Sequence, residues 1–378
     1  MKNLSDSDYC TVTARQACDR LAIAPDTLYA YVSRGLVRTI AHPADARRSL
    51  YDRRDIETLL LRKGRGRSRR AVAESTINWG EPVLTSRITR IADGRFFYKG
   101  QDAIELSRTQ TLEEVLFLLA GVRCRPEPDT QPHPEYLPEQ PFERILHMMA
   151  SETISGGAGD GRPRAGIVMR KTAMAAAGAE TPNNVAIHEL LALAWSQEKG
   201  VADIVRRALV LCADHELNAS AYAARVAASA GASIPASLLA GLATLSGTRH
   251  GGLTLRCHAW MDRVEKGGAG SASVLMPEGE PPPGFAHPLY PDGDPRAVEI
   301  LTHLPVSQEW QGRVERIAEE LGVHPSLDFA LAMLERLLRL PEGVALAIFA
   351  VGRTAGWLAH IFEQRRSGRL IRPRAAHG

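Results

Sequence analysis

Two histidines stand in Gly- and Pro-rich breaks of an otherwise helix-patterned chain, His250 in SGTRHGG and His287 in GFAHPLYPDGDPRA. Imidazoles mounted on helix ends and irregular loops, with guanidinium and carboxyl groups at hand, are the raw material of acid–base chemistry. Five segments join helix ends to ionisable residues in this way. They are DHELNAS (214–220), SGTRHGG (246–252), GFAHPLYPDGDPRA (284–297), HPSLDFA (324–330) and the C-terminal pair FAVGRTAGWLAH with LIRPR. Singly, each has a structural explanation: Gly251 and Gly252 let two helices pack closely, Asp294-Pro295 is a cap and first helical position, and Asp328 reads as an N-cap before an apolar helix.

The frame that must hold these residues is helical. Apolar residues recur at helical spacing over 201–213, 219–230, 235–245, 253–264, 295–303, 308–321, 328–340 and 344–364, and no alternating pattern competes with them. Before them, Thr111-Leu-Glu-Glu114 is a capping box opening LEEVLFLLAG. Extended runs at 83–91 and 95–98 flank Asp93-Gly94, a pair suited to a tight hairpin turn, and Gly100 ends that unit. SGGAGDGRPRAG (155–166) lacks the phosphate-loop pattern and is expected to be a loop, as is the Pro- and acid-rich stretch 124–140.

The succession HE.N, HGG, GF.H followed by DPRA, a DF pair, R..GW.AH and RPR resembles the citrate synthase family over about residues 80–378. The resemblance implies a mainly α fold with large and small subdomains, the small one near 215–325, and a small β-hairpin. It implies an enzyme that condenses acetyl-CoA with oxaloacetate and hydrolyses the citryl thioester. Asp328 matches the base, His250 the donor to the enolate oxygen and His287 the residue polarising the ketone. His215 matches a further histidine of the oxaloacetate site, and Arg296, Arg353 and Arg372 match its carboxylate clamps. Arg372 belongs at a neighbour's site in the family, which implies a homodimer. Pro281, Pro282, Gly284 and Ala286 match the loop that receives the adenine of CoA. No metal and no permanently bound cofactor is implied; the acyl-CoA is a cosubstrate. Pro288 and Pro291 stand where basic residues are frequent, HGGLT replaces HGGAN, and Ser326 replaces an Asn. These departures bear on the acyl donor and the 2-oxo acid, so 2-methylcitrate synthesis from propionyl-CoA stays open.

The first 70 residues differ in charge. They carry an excess of seven positive charges, whereas the remainder of this +3 chain is slightly acidic. Thr13 caps a helix at 14–23, Pro25 opens a second that Gly35 stops, and a two-stranded wing and third helix follow. TLYAYVSRGLV and RRSLYDRRDIETLL resemble the winged helix-turn-helix of the MerR and excisionase type, giving residues 1–65 as a DNA- or protein-docking module. Residues 66–80 read as a basic linker, within a run RKGRGRSRR (62–70) suited either to phosphate or to solvent. A metabolite-sensing regulator that binds DNA through residues 1–70 is therefore the alternative to an enzyme. The five scattered cysteines suggest neither disulfides nor a zinc site. With no signal-like N-terminus, and with the most apolar run, 344–351, too short to span a bilayer, the expected location is the cytoplasm, with no membrane partner.

Overall fold

The computed structural model describes residues 11–42, 45–53, 55–56, 59–60, 84–124, 138–155, 161–178, 182, 184–266 and 281–373. The basic run 62–70, the linker 66–80 and most of the Pro-rich stretch 124–140 lie outside these residues. The chain forms two compact units, Met1–Thr85 and Ser86–Gly378.

In the first unit, β1 (Thr11–Thr13) leads into α1 (Ala14–Leu21) and α2 (Pro25–Ser33), followed by β2 (Thr39–His42) and β3 (Asp45–Asp52). The Thr13 hydroxyl accepts from the Gln16 N–H at 3.3 Å while Gln16 accepts from the Thr13 N–H at 2.9 Å, a reciprocal cap that fixes the start of α1. Pro25 costs nothing at the first position of α2, where an N–H has no helical partner. Ala17, Leu21, Leu28, Val37, Tyr51 and Ile56 form the buried centre. The sheet has three strands, β1-β3-β2, rather than two. TVT is too short to display alternation, and only pairing with β3 makes it a strand.

The second unit opens with β4 (Thr89–Ala92) and β5 (Arg95–Tyr98), turning through Asp93 and Gly94 at φ 51° and 70°. The first strand starts at Thr89, later than the expected 83, because 84–88 are irregular. Gly100 does not end the unit: Lys99 and Gly100 make a second turn into β6 (Gln101–Asp102). Helices follow: α3 (Ala103–Thr109), α4 (Leu112–Ala120), α5 (Pro141–Ser155), α6 (Arg162–Ala177), α7 (Ile187–Trp195) and α8 (Val201–Cys212). Then come α9 (Ala219–Ser229), α10 (Ile234–Leu245), α11 (Leu253–Lys266), α12 (Pro295–Thr302), α13 (Gln308–Leu321), α14 (Leu327–Leu337) and α15 (Val344–Ser367). The expected loop at 155–166 is helical in its last five residues, since Pro163 sits in the first turn of α6, where its fixed φ is helical. The unit is mainly helical, as the periodicity predicts.

The core is arranged about α15, whose residues from Val344 to Ile361 are all buried. By length and composition this helix passes for a membrane span, contrary to the expectation drawn from 344–351 alone. Its apolar window is entirely buried in the protein, which is the signature of a core helix. Arg353, Trp357 and His360 recur at i, i+4 and i+7, so they share a face. Gly352 and Gly356 bring the same helix against α8 and the turn after it: a Cβ at Gly356 would collide with the Ala213 carbonyl and the Asp214 side chain. α12 is tied down by Glu299, which accepts from Arg108 Nη2 at 2.9 Å and Arg207 Nη1 at 2.6 Å.

Gly356→Ala is expected to lower stability by about 1–3 kcal/mol through overpacking, read as a fall in thermal midpoint. Gly312→Ala on α13, where an added Cβ meets only the Arg316 guanidinium end at 3.6 Å, should leave the midpoint unchanged or raise it.

Candidate active site

Between α8 and α9 the chain makes a short non-helical turn that carries His215. Asp214, fully buried, anchors it: one carboxylate oxygen accepts from the Thr89 hydroxyl at 2.5 Å and the other faces His360 Nε2 at 3.2 Å. His360 Nδ1 faces the Arg225 guanidinium at 3.3 Å and must accept there, so its proton lies on Nε2 and is donated to Asp214. Burial would raise the Asp214 carboxyl, but His360, Arg353 and Thr89 together hold it below the usual range. Gly356 N–H donates to the Ala213 carbonyl at 3.0 Å and Tyr98 bonds the backbone of Asp214 at 3.1 Å. The turn is thus pinned to α15 and to β5. Asn218 then caps α9 through the Ala221 N–H at 3.0 Å.

His215 lies 7% exposed, its Nε2 2.8 Å from the Tyr290 hydroxyl and its ring edge-on to His287 at 5.4 Å. His250 follows α10 in a turn where Gly251 and Gly252 sit against the Leu245, Ser246 and Gly247 carbonyls, contacts that a side chain would block. Its Nε2 is 2.8 Å from Ser220 Oγ, which accepts from Trp357 Nε1 at 3.2 Å. His287 Nδ1 accepts from the Leu289 N–H at 3.2 Å, which places a neutral ring's proton on Nε2. All three imidazoles are held neutral. Burial, with Arg353 next, takes His250 down to about 3. Burial and Arg296 take His287 to about 4, and burial followed by Arg296 holds His215 well below its ordinary value.

Asp294 organises the opposite wall. It accepts from Arg296 Nε at 2.9 Å and Nη2 at 2.7 Å, from the Arg296 N–H at 3.0 Å and from the Leu327 N–H at 3.1 Å, so it caps both α12 and α14. Arg296 is therefore paired within the chain rather than standing as an open clamp; only Nη1 remains outside that grip. Asp328 is in the first turn of α14 and not at its N-cap, a position taken by Ser326, whose buried hydroxyl has no partner among the described residues. Asp328 Oδ1 is likewise buried and unpartnered among them. Burial pushes its carboxyl up to about 7 against the pull of Arg296 and Arg353. Arg353, 1% exposed, donates from Nε to the Cys212 carbonyl at 2.8 Å and leaves a buried Nη1 with no partner.

His215, His250, His287, Arg296, Asp328 and Arg353 are thus within electrostatic reach of one another. Together they can take a proton, donate to developing oxyanions and receive carboxylates. Arg372 is not among them. It is exposed in the tail, beside Ile371, whose N–H donates to Ser229 Oγ at 3.0 Å at the far end of α9 from Ser220. The 281–286 loop divides: Pro281 and Ala286 are exposed, while Pro282 and Gly284 are buried. Its backbone pairs with 324–326 through Ala286 N–H to the His324 carbonyl, 3.0 Å, and Ser326 N–H to the Gly284 carbonyl, 2.7 Å. Gly284 holds φ 81°, with Cys257 and Phe329 where a side chain would lie. Pro288 and Pro291 are both exposed. Motif reading missed Tyr290, Ser220, Asp214, Asp294 and His360 as contributors, although each lies inside a quoted motif. Among the described residues no group of His, Cys, Asp and Glu has the makings of a metal site. A cavity of about 600 Å³ beside α4, lined by Leu106, Gln110, Glu113 and Phe117, shares no residue with the site.

Comparison with known proteins places this geometry in context. Residues 163–374 match the family model described as citrate synthase, C-terminal domain. The chain is 36% identical over 182 residues to citrate synthase 2 of Bacillus subtilis, covering 45% of this chain and 49% of that one. It is 30% identical over 191 residues to 2-methylcitrate synthase 1 of Corynebacterium glutamicum, covering 47% and 50%. It spans about half the length of the curated relatives it matches. In fold it resembles the citrate synthase of Thermoplasma acidophilum, solved in ternary complex with carboxymethyl coenzyme A and oxaloacetate. The TM-score is 0.64 at 23% identity, over 79% of this chain and 94% of that one. With the family model matched over more than half its length, the chain belongs to the citrate synthase family.

Proposed function

We propose that this protein condenses acetyl-CoA with oxaloacetate and hydrolyses the product thioester, giving citrate and CoA. The observation that carries this reading is Asp328: a buried carboxyl raised to about 7, with an unpartnered oxygen, beside three neutral imidazoles and an orphaned guanidinium nitrogen. A thioester methyl is a very weak acid, so a base poised near neutrality must act together with a donor to the forming enolate. Asp328 takes the methyl proton and His250 is the donor to the enolate oxygen. His287 donates from Nε2 to the ketone of oxaloacetate, making its carbon electrophilic. Arg353 Nη1 and Arg296 Nη1 receive substrate carboxylates, and His215 donates beside them. Carbon–carbon bond formation places the former ketone oxygen as the citryl hydroxyl; water then cleaves the thioester, releasing CoA. The reaction needs no permanently bound cofactor and no metal.

The finer assignments belong to the same proposal. Pro281, Pro282, Gly284 and Ala286 form the adenine side of the CoA site, with Pro281 and Ala286 as its accessible part. Arg372 serves the site of a second copy in a cytoplasmic homodimer. This is supported by its place beside Ser229, roughly 14 Å along α9 from Ser220 at 1.5 Å per residue. Residues 81–378 form the synthase body, with the small subdomain near 215–325. Residues 1–65 form a winged helix-turn-helix that meets DNA or protein. Support for a DNA contact comes from the outward face of α2, where Asp26, Tyr29, Ser33 and Arg34 are exposed and Thr27 half-buried. A body that senses a metabolite and governs that contact is the second reading.

Purified protein given oxaloacetate and acetyl-CoA is expected to release thiol, with propionyl-CoA compared side by side; a folded protein with no turnover on either thioester would sink the enzymatic reading. The saturated rate should rise with pH through a midpoint near 7, because only ionised Asp328 accepts the proton.

Asp328→Asn should lower kcat by about 10²–10⁴-fold with assembly unchanged. It should also stabilise the protein at pH 8. The wild-type carboxyl is raised in the folded state, so its contribution is present below the unfolded value near 4 and is lost as pH rises through about 7. At about 1.4 kcal/mol per unit, thermal or denaturant unfolding should show Asp328→Asn ahead at pH 8 and that advantage shrinking towards pH 5.

For the regulatory reading, the gene's own upstream DNA should be retarded by the full chain in a salt-dependent manner, altered by oxaloacetate or CoA. No retardation at low salt overturns it.

A further inference from the structure

Tyr290 touches three of the groups assigned to the 2-oxo acid. Its hydroxyl is 2.8 Å from His215 Nε2, its ring lies 5.1 Å from that of His287 at a 34° tilt, and the Arg296 guanidinium sits 5.5 Å above its face. The side chain is 2% exposed. Its backbone is built into the same turn, the Tyr290 N–H donating to the His287 carbonyl at 2.9 Å and the Gly293 N–H to the Tyr290 carbonyl at 3.2 Å. The direction of the hydroxyl bond follows from counting protons. A phenol has one hydrogen, and His215 Nε2 is the partner the hydroxyl has among the described residues. Were Nε2–H the donor, the buried O–H would be left without an acceptor, which is unfavourable. The O–H therefore donates and Nε2 accepts. A neutral imidazole has a single N–H, and burial beside Arg296, His287 and Arg353 holds His215 neutral, so the ring proton lies on Nδ1. Nδ1 has no protein partner among the described residues.

We propose that Tyr290 is a positioning residue that fixes His215 as the Nδ1–H tautomer, making it a pure hydrogen-bond donor to the bound 2-oxo acid. With His287 locked as the Nε2–H form by the Leu289 N–H, the site then offers N–H donors from both rings. Such a site fits a carbonyl or carboxylate oxygen, whereas a 2-hydroxy acid brings a proton for which these two rings provide no acceptor. The tautomer follows from the chain alone; the ligand it favours rests on the proposed oxaloacetate site.

The test uses the full chain labelled with ¹⁵N-histidine, with the His215 signals identified by their loss in His215→Gln. Wild type should show His215 protonated on Nδ1. Tyr290→Phe, which keeps the ring and loses the hydroxyl, should shift that signal towards Nε2–H. It should also weaken oxaloacetate binding about tenfold by calorimetry, and narrow the preference for oxaloacetate over malate, with acetyl-CoA binding unchanged. An Nε2–H wild-type signal, or a His215 signal unmoved by Tyr290→Phe, would overturn the proposal whether or not oxaloacetate binds. Absence of oxaloacetate binding to wild type would instead overturn the assignment of the site, with the tautomer still decided by the spectrum.

Discussion

The grip of Asp294 on Arg296 is the contact on which the site's geometry depends. One carboxylate meets two guanidinium nitrogens and the first free N–H groups of two helices, so the beginnings of α12 and α14 are held at a single point. Asp328 is one residue beyond the second of those N–H groups, and His287 is on the loop that leads into the first. Burying such a pair is costly unless nearly every hydrogen-bonding position is filled. Asp294 fills its own with four bonds, and Arg296 turns its face to Phe96 and Tyr290. Removing either member would strand a charge in the core.

That arrangement also sets the electrostatic character of the cleft. Two guanidinium groups in a poorly solvated space oppose a third positive charge, so the histidines stay neutral and act as oriented dipoles rather than as cations. For two of them the tautomer is governed by a neighbour that does not titrate in the working range: a backbone N–H for His287 and a tyrosine for His215. Asp328 feels the same poor solvation with the opposite consequence, its carboxyl being raised until it can exchange a proton near neutrality. Burial therefore leaves one carboxyl that ionises near neutrality beside three neutral imidazoles, the complement that the proposed enolate chemistry demands.

Much of this was legible in the sequence. Helix boundaries fell within a few residues of expectation wherever a cap was present, as at Thr111, Asp294 and Asn218, because capping is local chemistry. The ordered motifs delivered the three histidines, Asp328 and Arg353 to one cleft. What was not legible depends on distant partners. β1 exists only because β3 lies beside it. Ser220 and Tyr290 matter only because the fold brings His250 and His215, 30 and 75 residues away in the chain, to 2.8 Å from them. Sequence does not reveal that the carboxylate two residues before Arg296 folds back onto its guanidinium. Asp214 and His360 are 146 residues apart, a pairing no spacing rule anticipates.

The place of α15 has a consequence for how the body is made. Helices α4 to α6, α8 to α11 and α14 all pack on it, and all of them precede it in the chain. Until α15 has been synthesised, those elements enclose a groove lined with apolar side chains and lacking its occupant. Secondary structure can form early, but the close-packed interior cannot, because the residues that fill it arrive after every wall is in place. The same helix brings Arg353 and His360, so completion of the core and arming of the cleft are one event. A chain interrupted before residue 344 would expose that groove, and quality control would meet it as an aggregation hazard.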